Sequence, residues 1–379
     1  MINLFQPALG QEELNEIKNV FDSNWIGKGD KVSEFESMFA ESLKVNARNF
    51  VSTTSCTEAI FLASDIFQFC DKDEVIVPSI SFPSIGSAVL KSGAKMILCD
   101  VDKETLNVRA VDIEKVITPK TKAVFITHYG GVSCDMDPII TLCKKHNIYV
   151  IEDAACSVRS YYKGRACGTF GDMGMWSFDA MKTVTTGDGA MIYLKSESNV
   201  VKAKELLYLG LPVKQKSGLD SSSSGAANWW EYEVNQYGRR AIMNDITGAI
   251  GVIQMKKLPK FLIRRKEIYN KYYEELKNCE FLQLPPVLSP QYESSYYFFW
   301  IQTKYRDELA QYLMENGVYC TFRYWPLHKV EAFAFCANTD LSNSEYIAKR
   351  TLNIPLHHSL TDENVELIIE IIKSFSKKI

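Results

Sequence analysis

The chain has 379 residues, 46% hydrophobic and 23% charged, ordinary for a soluble globular protein of one large domain plus a smaller one. Its 43 Lys and Arg against 46 Asp and Glu leave a formal charge of −3, which offers no electrostatic footprint for nucleic acid. No apolar run approaches the ~20 residues of a membrane span, and the first residues lack a basic segment leading into an apolar core. The ten cysteines are scattered singly, so reduced thiols in the cytoplasm are expected. Five histidines without a His-Glu-x-x-His or Cys/His cluster argue against a metal site.

Residues 11–22 have helical spacing and lead through Trp25-Ile-Gly-Lys-Gly29 into a second amphipathic helix over 33–43. A short strand from Asn49 turns at Thr54-Ser-Cys-Thr57 into a helix from about Glu58 to Phe69. Compact apolar runs follow at Val75–Val77, Met96–Cys99, Ala123–Thr127 and Ile148–Ile151, with helical patterns such as Pro138–Lys145 between some of them. Buried strands alternating with helices predict a largely parallel α/β sheet, in which ligands sit at the carboxyl ends of the strands. Phe82, His128, Asp153 and the loop holding Lys182 all fall just after predicted strands. Residues 211–238, with a serine run, read as a long loop that is either functional or disordered, and the aromatic pair Trp229-Trp230 favours function. Two helical segments are expected from Asn244 towards Lys277, with Arg264-Arg265-Lys266 on a solvated face. The change of domain is placed near residue 256, giving domains 1–255 and 256–379, the second an α/β unit of strand Tyr296–Ile301 and helices 307–316 and 362–375.

The central stretch is Trp176-Ser-Phe-Asp-Ala-Met-Lys-Thr-Val-Thr-Thr-Gly-Asp-Gly189, which sets Lys182 between two apolar strands, 173–178 and 190–194. Burying an ammonium is costly unless it is paired or neutralised, and a Schiff base to a cofactor aldehyde would leave none to bury. From these residues alone, a surface-loop lysine fits as well. Three further stretches bear on the choice. Thr54–Thr57 opens a helix, which is either plain N-capping or a phosphate cup. Phe82 either packs in the core or stacks on a flat ring. Glu152-Asp153 ends a strand, where a carboxylate either caps the next helix or keeps a pyridine nitrogen protonated.

In order and spacing these stretches resemble the DegT–StrS family of pyridoxal-phosphate (PLP) sugar aminotransferases, of fold-type I. The resemblance covers nearly the whole chain. It includes Trp25 to Glu36, His128-Tyr-Gly-Gly131, Cys134-Asp-Met-Asp137, Glu152-Asp-Ala-Ala155, Lys163-Gly164, Gly168-Thr-Phe-Gly-Asp172, Ser177 to Gly189, Arg323-Tyr-Trp-Pro-Leu-His328 and Leu352-Asn-Ile-Pro-Leu-His357. It implies a large domain with a mostly parallel seven-stranded sheet flanked by helices, and a smaller C-terminal α/β domain. It also implies a homodimer with shared active sites. Lys182 would be the Schiff-base lysine and proton shuttle, Asp153 the partner of the pyridine nitrogen, and Phe82 the stacking ring. Ser55, Cys56, Thr57 and Ser177 would hold the phosphate.

The implied reaction is a ping-pong transamination from L-glutamate to a nucleotide-linked keto-sugar, for a polysaccharide or glycoconjugate. Trp25, Tyr324, His328 and His357 are expected around the acceptor. Three departures from the family pattern stand out. Cys156 takes the place of the Gln or His that touches the cofactor's phenolic oxygen, and Asp179 that of a His. Arg240 takes the place of an Asn that reaches the phosphate of the neighbouring subunit, which suggests that Arg239 or Arg240 contacts a phosphate across the dimer. The Arg pair and Asp179 motivate a second acceptor class, a small keto-phosphate. The resemblance also leaves open a PLP-dependent sugar dehydratase, although such enzymes carry His at the lysine position, and a non-catalytic regulatory homologue.

Overall fold

The computed structural model describes residues 1–212, 234 and 236–378. The serine run and Trp229-Trp230, expected in a functional loop, lie outside the described residues.

The central sheet collects β1 (Phe50–Thr53), β2 (Glu74–Pro78), β3 (Lys95–Cys99), β4 (Thr121–Thr127) and β5 (Tyr149–Asp153). After the short strands β6 (Tyr161–Tyr162) and β7 (Arg165–Ala166) of a side ribbon, it adds β8 (Met173–Ser177) and β9 (Ala190–Leu194). The order is β1-β9-β8-β5-β4-β2-β3. Only β9 runs antiparallel, against β1 on one side and β8 on the other. The other strands therefore point the same way, and the carboxyl ends of β1, β2, β5 and β8 share one edge.

The apolar runs are continuous because both faces are covered. Val75, Val77, Phe125 and Ile151 join one core beneath α3 (Cys56–Ile66) and α4 (Pro83–Lys91). Ile76, Val124, Ile126 and Val150 join another beneath α6 (Met136–His146). A half-exposed sheet would alternate apolar and polar residues, which these strands do not.

α1 (Gln11–Asp22) and α2 (Asp30–Ser42) pack on α8 (Asp245–Leu276), numbered after α5 (Ala110–Glu114) and α7 (Glu197–Leu206). The sequence predicts two segments here, but α8 is one helix of 32 residues, ~48 Å long. Pro259 lies inside it and removes one backbone hydrogen bond. Burial of Leu258 and Phe261 on either side holds the helix continuous. Residue 256 thus falls inside a helix. The amino-terminal half of α8 is tied to α2 by Asp245, which accepts from Gly29 N (2.9 Å) and Val32 N (3.0 Å). Its far half places Ile268, Tyr272 and Leu276 in a separate core. That core is completed by β11 (Phe299–Gln302), α9 (Arg306–Glu315), β12 (Thr351–Ile354) and α11 (Asp362–Phe375), with β10 (Tyr292–Glu293) preceding them and α10 (Ser342–Arg350) leading into β12.

The chain start belongs with this C-terminal core. Ile2 N donates to Gly317 O (2.7 Å), and Tyr319 N donates to Ile2 O (2.9 Å). Among the described residues no helix is long and apolar enough to cross a membrane.

Candidate active site

At the carboxyl edge of the sheet lies a cavity of about 410 Å³ lined by residues from five segments. From β1 and the start of α3 come Ser55, Cys56 and Thr57; from the β2–α4 junction, Phe82 and Ser84. The end of β5 contributes Asp153, and β8 with its loop contributes Ser177, Asp179, Met181 and Lys182. The C-terminal part of the chain contributes Tyr297, Arg323 and Tyr324, the two tyrosines packing with the core beneath α6. A larger open groove of about 510 Å³ between Asn107, Val132 and Leu288 contains no lysine, and its Arg109 already pairs with Asp102 and Asp112.

Lys182 is positioned by a tight loop. Lys182 N donates to Asp179 O (2.9 Å), Thr186 N to Phe178 O (2.9 Å), and Phe178 N to Gly189 O (2.9 Å). Gly189 has φ +148°, and a Cβ there would lie 2.7 Å from Thr186 Oγ1, so the turn needs glycine. The half-buried lysine donates to Cys156 Sγ at 3.6 Å and sits 5.0 Å from the centroid of the Tyr297 ring. Burial works against its charge. The surrounding Cys156, Tyr297, Tyr324 and Asp153 favour it and prevail, holding the ammonium well above the usual lysine value.

Asp153 is 5% exposed. Among the described residues its carboxylate has one hydrogen-bond partner, Ala155 N, at 3.0 Å on Oδ1. Burial pushes its carboxyl upward despite that bond and the nearby Lys182 charge. A buried carboxylate so poorly satisfied suits a cationic ring nitrogen. The first turn of α3 suits a phosphate. Ser55 Oγ caps Glu58 N (3.0 Å), leaving the N–H groups of Cys56 and Thr57 without a side-chain acceptor among the described residues. Ser177, 8% exposed, stands at the end of β8 beside it. Phe82 is 44% exposed and meets Tyr324 edge-on at 5.5 Å, so a face of its ring is free for stacking. Cys156 Sγ lies 3.7 Å from Tyr324 Oη, and burial pushes the thiol up. The residues present fit pyridoxal phosphate.

Ser55, Cys56, Thr57, Phe82, Asp153, Ser177, Lys182 and Tyr324 thus meet at one cavity, with Cys156 in contact with two of its linings. Other expected residues lie elsewhere in this chain. Trp25 is 59% exposed and donates Nε1 to Lys28 O (3.2 Å). His328 is engaged at both nitrogens, by Ser79 Oγ (2.8 Å) and Glu345 Oε1 (2.9 Å). His357 is buried, with neither ring nitrogen in good hydrogen-bond geometry with a partner among the described residues, next to His358, whose ring stacks on Phe261 at 3.8 Å. Arg239 is held on α3 by Glu58 (2.5 Å) and Asp65 (2.9 Å), and Arg240 lies over the Tyr208 ring at 5.3 Å; neither lines this cavity.

Arg265, expected on a solvated face, is instead 1% exposed. It donates Nη1 to the carbonyls of Tyr296 (3.2 Å), Tyr297 (3.4 Å) and Leu356 (3.0 Å), and burial lowers its pKa to about 10. A charged triplet on a helix does not reveal which member turns inward; the 100° step per residue does, once the neighbouring core is known. Phe5, Ser84, Tyr297 and Arg323 were not singled out by sequence. Arg323 lies inside a family-like stretch, whereas Tyr297 carries no local signal and reaches the cavity by tertiary packing, and Phe5 packs behind it on Tyr297 and Arg323.

The DegT/DnrJ/EryC1/StrS aminotransferase family profile matches residues 7–373. The chain is 44% identical over 372 residues to a dTDP-4-dehydro-2,3,6-trideoxy-D-glucose 4-aminotransferase of Saccharopolyspora spinosa, covering 98% of this chain and 95% of the relative. It is 32% identical over 378 residues to a GDP-perosamine synthase of Escherichia coli O157:H7, covering 99% and 98%. The crystal structure of the aminotransferase TlmJ from Streptoalloteichus hindustanus superposes with a TM-score of 0.93 at 41% identity, covering 100% of this chain and 99% of that one. The cavity, its lysine and these likenesses agree: the chain is a PLP-dependent sugar aminotransferase and belongs to the DegT/DnrJ/EryC1/StrS aminotransferase family.

Proposed function

We propose that the protein transfers the amino group of L-glutamate to the keto carbon of a nucleotide-linked keto-sugar, in a ping-pong cycle centred on Lys182, and that it works as a homodimer. The observation that carries this reading is the convergence of Lys182, Asp153, Phe82 and the first turn of α3 on one cavity. Nucleotide-linked sugars appear in the names of both relatives, which supports that acceptor class.

Pyridoxal phosphate, when bound, supplies an aldehyde and an electron-withdrawing ring. Asp153 would hold the ring nitrogen protonated, Phe82 would cover one ring face, and Ser177 with the backbone N–H groups of Cys56 and Thr57 would bind the phosphate. The Lys182 amine would hold the cofactor's aldehyde carbon and, when free, would serve as the base for the proton on the donor's Cα. Arg240 reaches the phosphate of the neighbouring subunit's cofactor or acceptor, as its position outside its own cavity allows.

The test is an absorbance spectrum of the purified protein with PLP, before and after L-glutamate, followed by turnover on keto-sugar nucleotides and simple keto-phosphates. A visible band that glutamate abolishes, and that Lys182→Ala lacks, is expected, with turnover on the nucleotide-linked acceptors. A colourless protein sinks the Lys182 assignment, and turnover confined to keto-phosphates overturns the acceptor. For Arg240→Gln, weaker PLP retention or a higher acceptor KM is expected; no change in either removes its role.

A further inference from the structure

Arg323 is the only cation besides Lys182 among the described residues lining the cavity, whose charged walls are otherwise the carboxylates Asp153, Asp179 and Asp188. The residue as a whole is half-buried, its Nη2 contact lies in exposed surroundings, and its guanidinium has no carboxylate within ion-pair distance among the described residues. What it touches is uncharged: Nη2 lies 3.3 Å from Met181 Sδ, and Cζ lies 5.1 Å from the centroid of the Phe5 ring. Phe5 stacks on Tyr297 at 5.5 Å and 19°. Tyr297 is the ring that carries Lys182 Nζ at 5.0 Å. Two cations that line the cavity therefore each contact one aromatic stack, Lys182 at the Tyr297 ring and Arg323 at the Phe5 ring.

The backbone under that fork is fixed. Arg323 N donates to the buried Asn353 Oδ1 (2.7 Å), and its carbonyl accepts from Tyr129 Oη. A guanidinium held over a ring face keeps its in-plane N–H donors free for a carboxylate, which it can meet in bidentate fashion. Without it, three aspartates would face an anionic donor with Lys182 alone to offset them among the described residues lining the cavity.

We propose that Arg323 takes the carboxylate of the amino donor while Lys182 works at the donor's Cα, an assignment that rests on the aminotransferase reading above. Arg323 is then a donor-binding residue, and Phe5 is a positioning residue that fixes its guanidinium.

The probe is glutarate, a dicarboxylate with no amine, titrated calorimetrically into cofactor-free and PLP-loaded protein. Arg323→Gln is expected to weaken glutarate binding at least about tenfold, as loss of a charge-assisted bidentate contact should. The KM for L-glutamate is expected to rise in parallel, with cofactor content, melting temperature and acceptor KM unchanged. Arg323→Lys, which keeps the charge without the fork, should restore part of the affinity and serves if the Gln variant does not fold. Phe5→Leu should weaken glutarate less than Arg323→Gln does. Glutarate affinity unchanged in the Arg323 variants overturns the proposal. So does a rise in acceptor KM with glutarate binding intact, since the arginine would then face the acceptor's phosphates. The cofactor-free titration keeps this result separate from the spectral test: a colourless wild-type protein defeats the aminotransferase reading, whereas unchanged glutarate binding defeats only the role of Arg323.

Discussion

Glu152 and Asp153 are adjacent in β5, yet their carboxylates serve opposite faces of the central sheet. Glu152 Oε2 accepts from Gly168 N (2.7 Å) and from His128 Nε2 (2.9 Å), and Oε1 accepts from Gly171 N (2.6 Å). His128 Nδ1 accepts from Cys134 N (3.1 Å), so the ring's proton sits on Nε2 and points at Glu152. Strand alternation sends Asp153 the other way, into the cavity with one backbone partner.

Glu152→Gln and Asp153→Asn should therefore separate stability from chemistry. The first sets an amide N–H₂ against donors and should cost about 3 kcal/mol, with a normal visible band in the protein that remains folded. The second removes a buried, poorly satisfied charge, so its melting temperature should hold or rise, while turnover falls on the order of 10²-fold or more. Thermal melts beside turnover measurements check both, and equal stability losses would refute the division of roles.

Acid should destabilise the fold through His357 and His358, whose burial lowers their pKa values to about 4 and about 3, with the Arg265 charge adding to the effect. Both folded values lie below the unfolded value near 6.5. Above pH 6.5 neither state is protonated there, and no penalty arises. As pH falls, the unfolded chain binds protons that the folded chain refuses, so stability is lost from about pH 6.5 downward. Two protons give a slope of up to about 2.7 kcal/mol per pH unit. Urea unfolding in that acid range should show it, and His357→Phe with His358→Phe should flatten it.

Arg265 links these histidines to the site by supporting the carbonyls of Tyr296, Tyr297 and Leu356. Arg265→Leu strips donors from three carbonyls and is expected to cost about 3 kcal/mol. Tyr297 then loses a support, so the visible spectrum of the PLP-loaded variant should shift as well. A stability loss with an unaltered spectrum would confine Arg265 to a structural role.

Gly168 donates its N–H to Glu152 with φ +91°, and a Cβ there would lie 2.4 Å from the Trp176 ring. Gly168→Ala should cost more than about 2 kcal/mol, from backbone strain plus overpacking. Chemical denaturation would detect it, and a neutral result would mean that Trp176 moves freely.

The sheet was legible because its strands are buried on both faces, which leaves continuous apolar runs with little room for misreading. Lys182, Asp153 and the Ser55–Thr57 turn were legible because parallel strands bring their carboxyl ends to one edge, so residues distant in sequence converge once the strands are placed. Residues outside that logic were not. Arg265 looked solvated because a charged triplet does not disclose which member faces a core built from β11 and β12. His328 and His357 matched by motif position, yet one is engaged by Ser79 and Glu345 and the other is packed beside Arg265. Periodicity and chemical type, local along the chain, specified the sheet and its lysine. Which side chains share a cavity with that lysine was decided by packing between segments as far apart as Phe5 and Arg323, whose contact depends on three-dimensional closure and leaves no trace in local sequence.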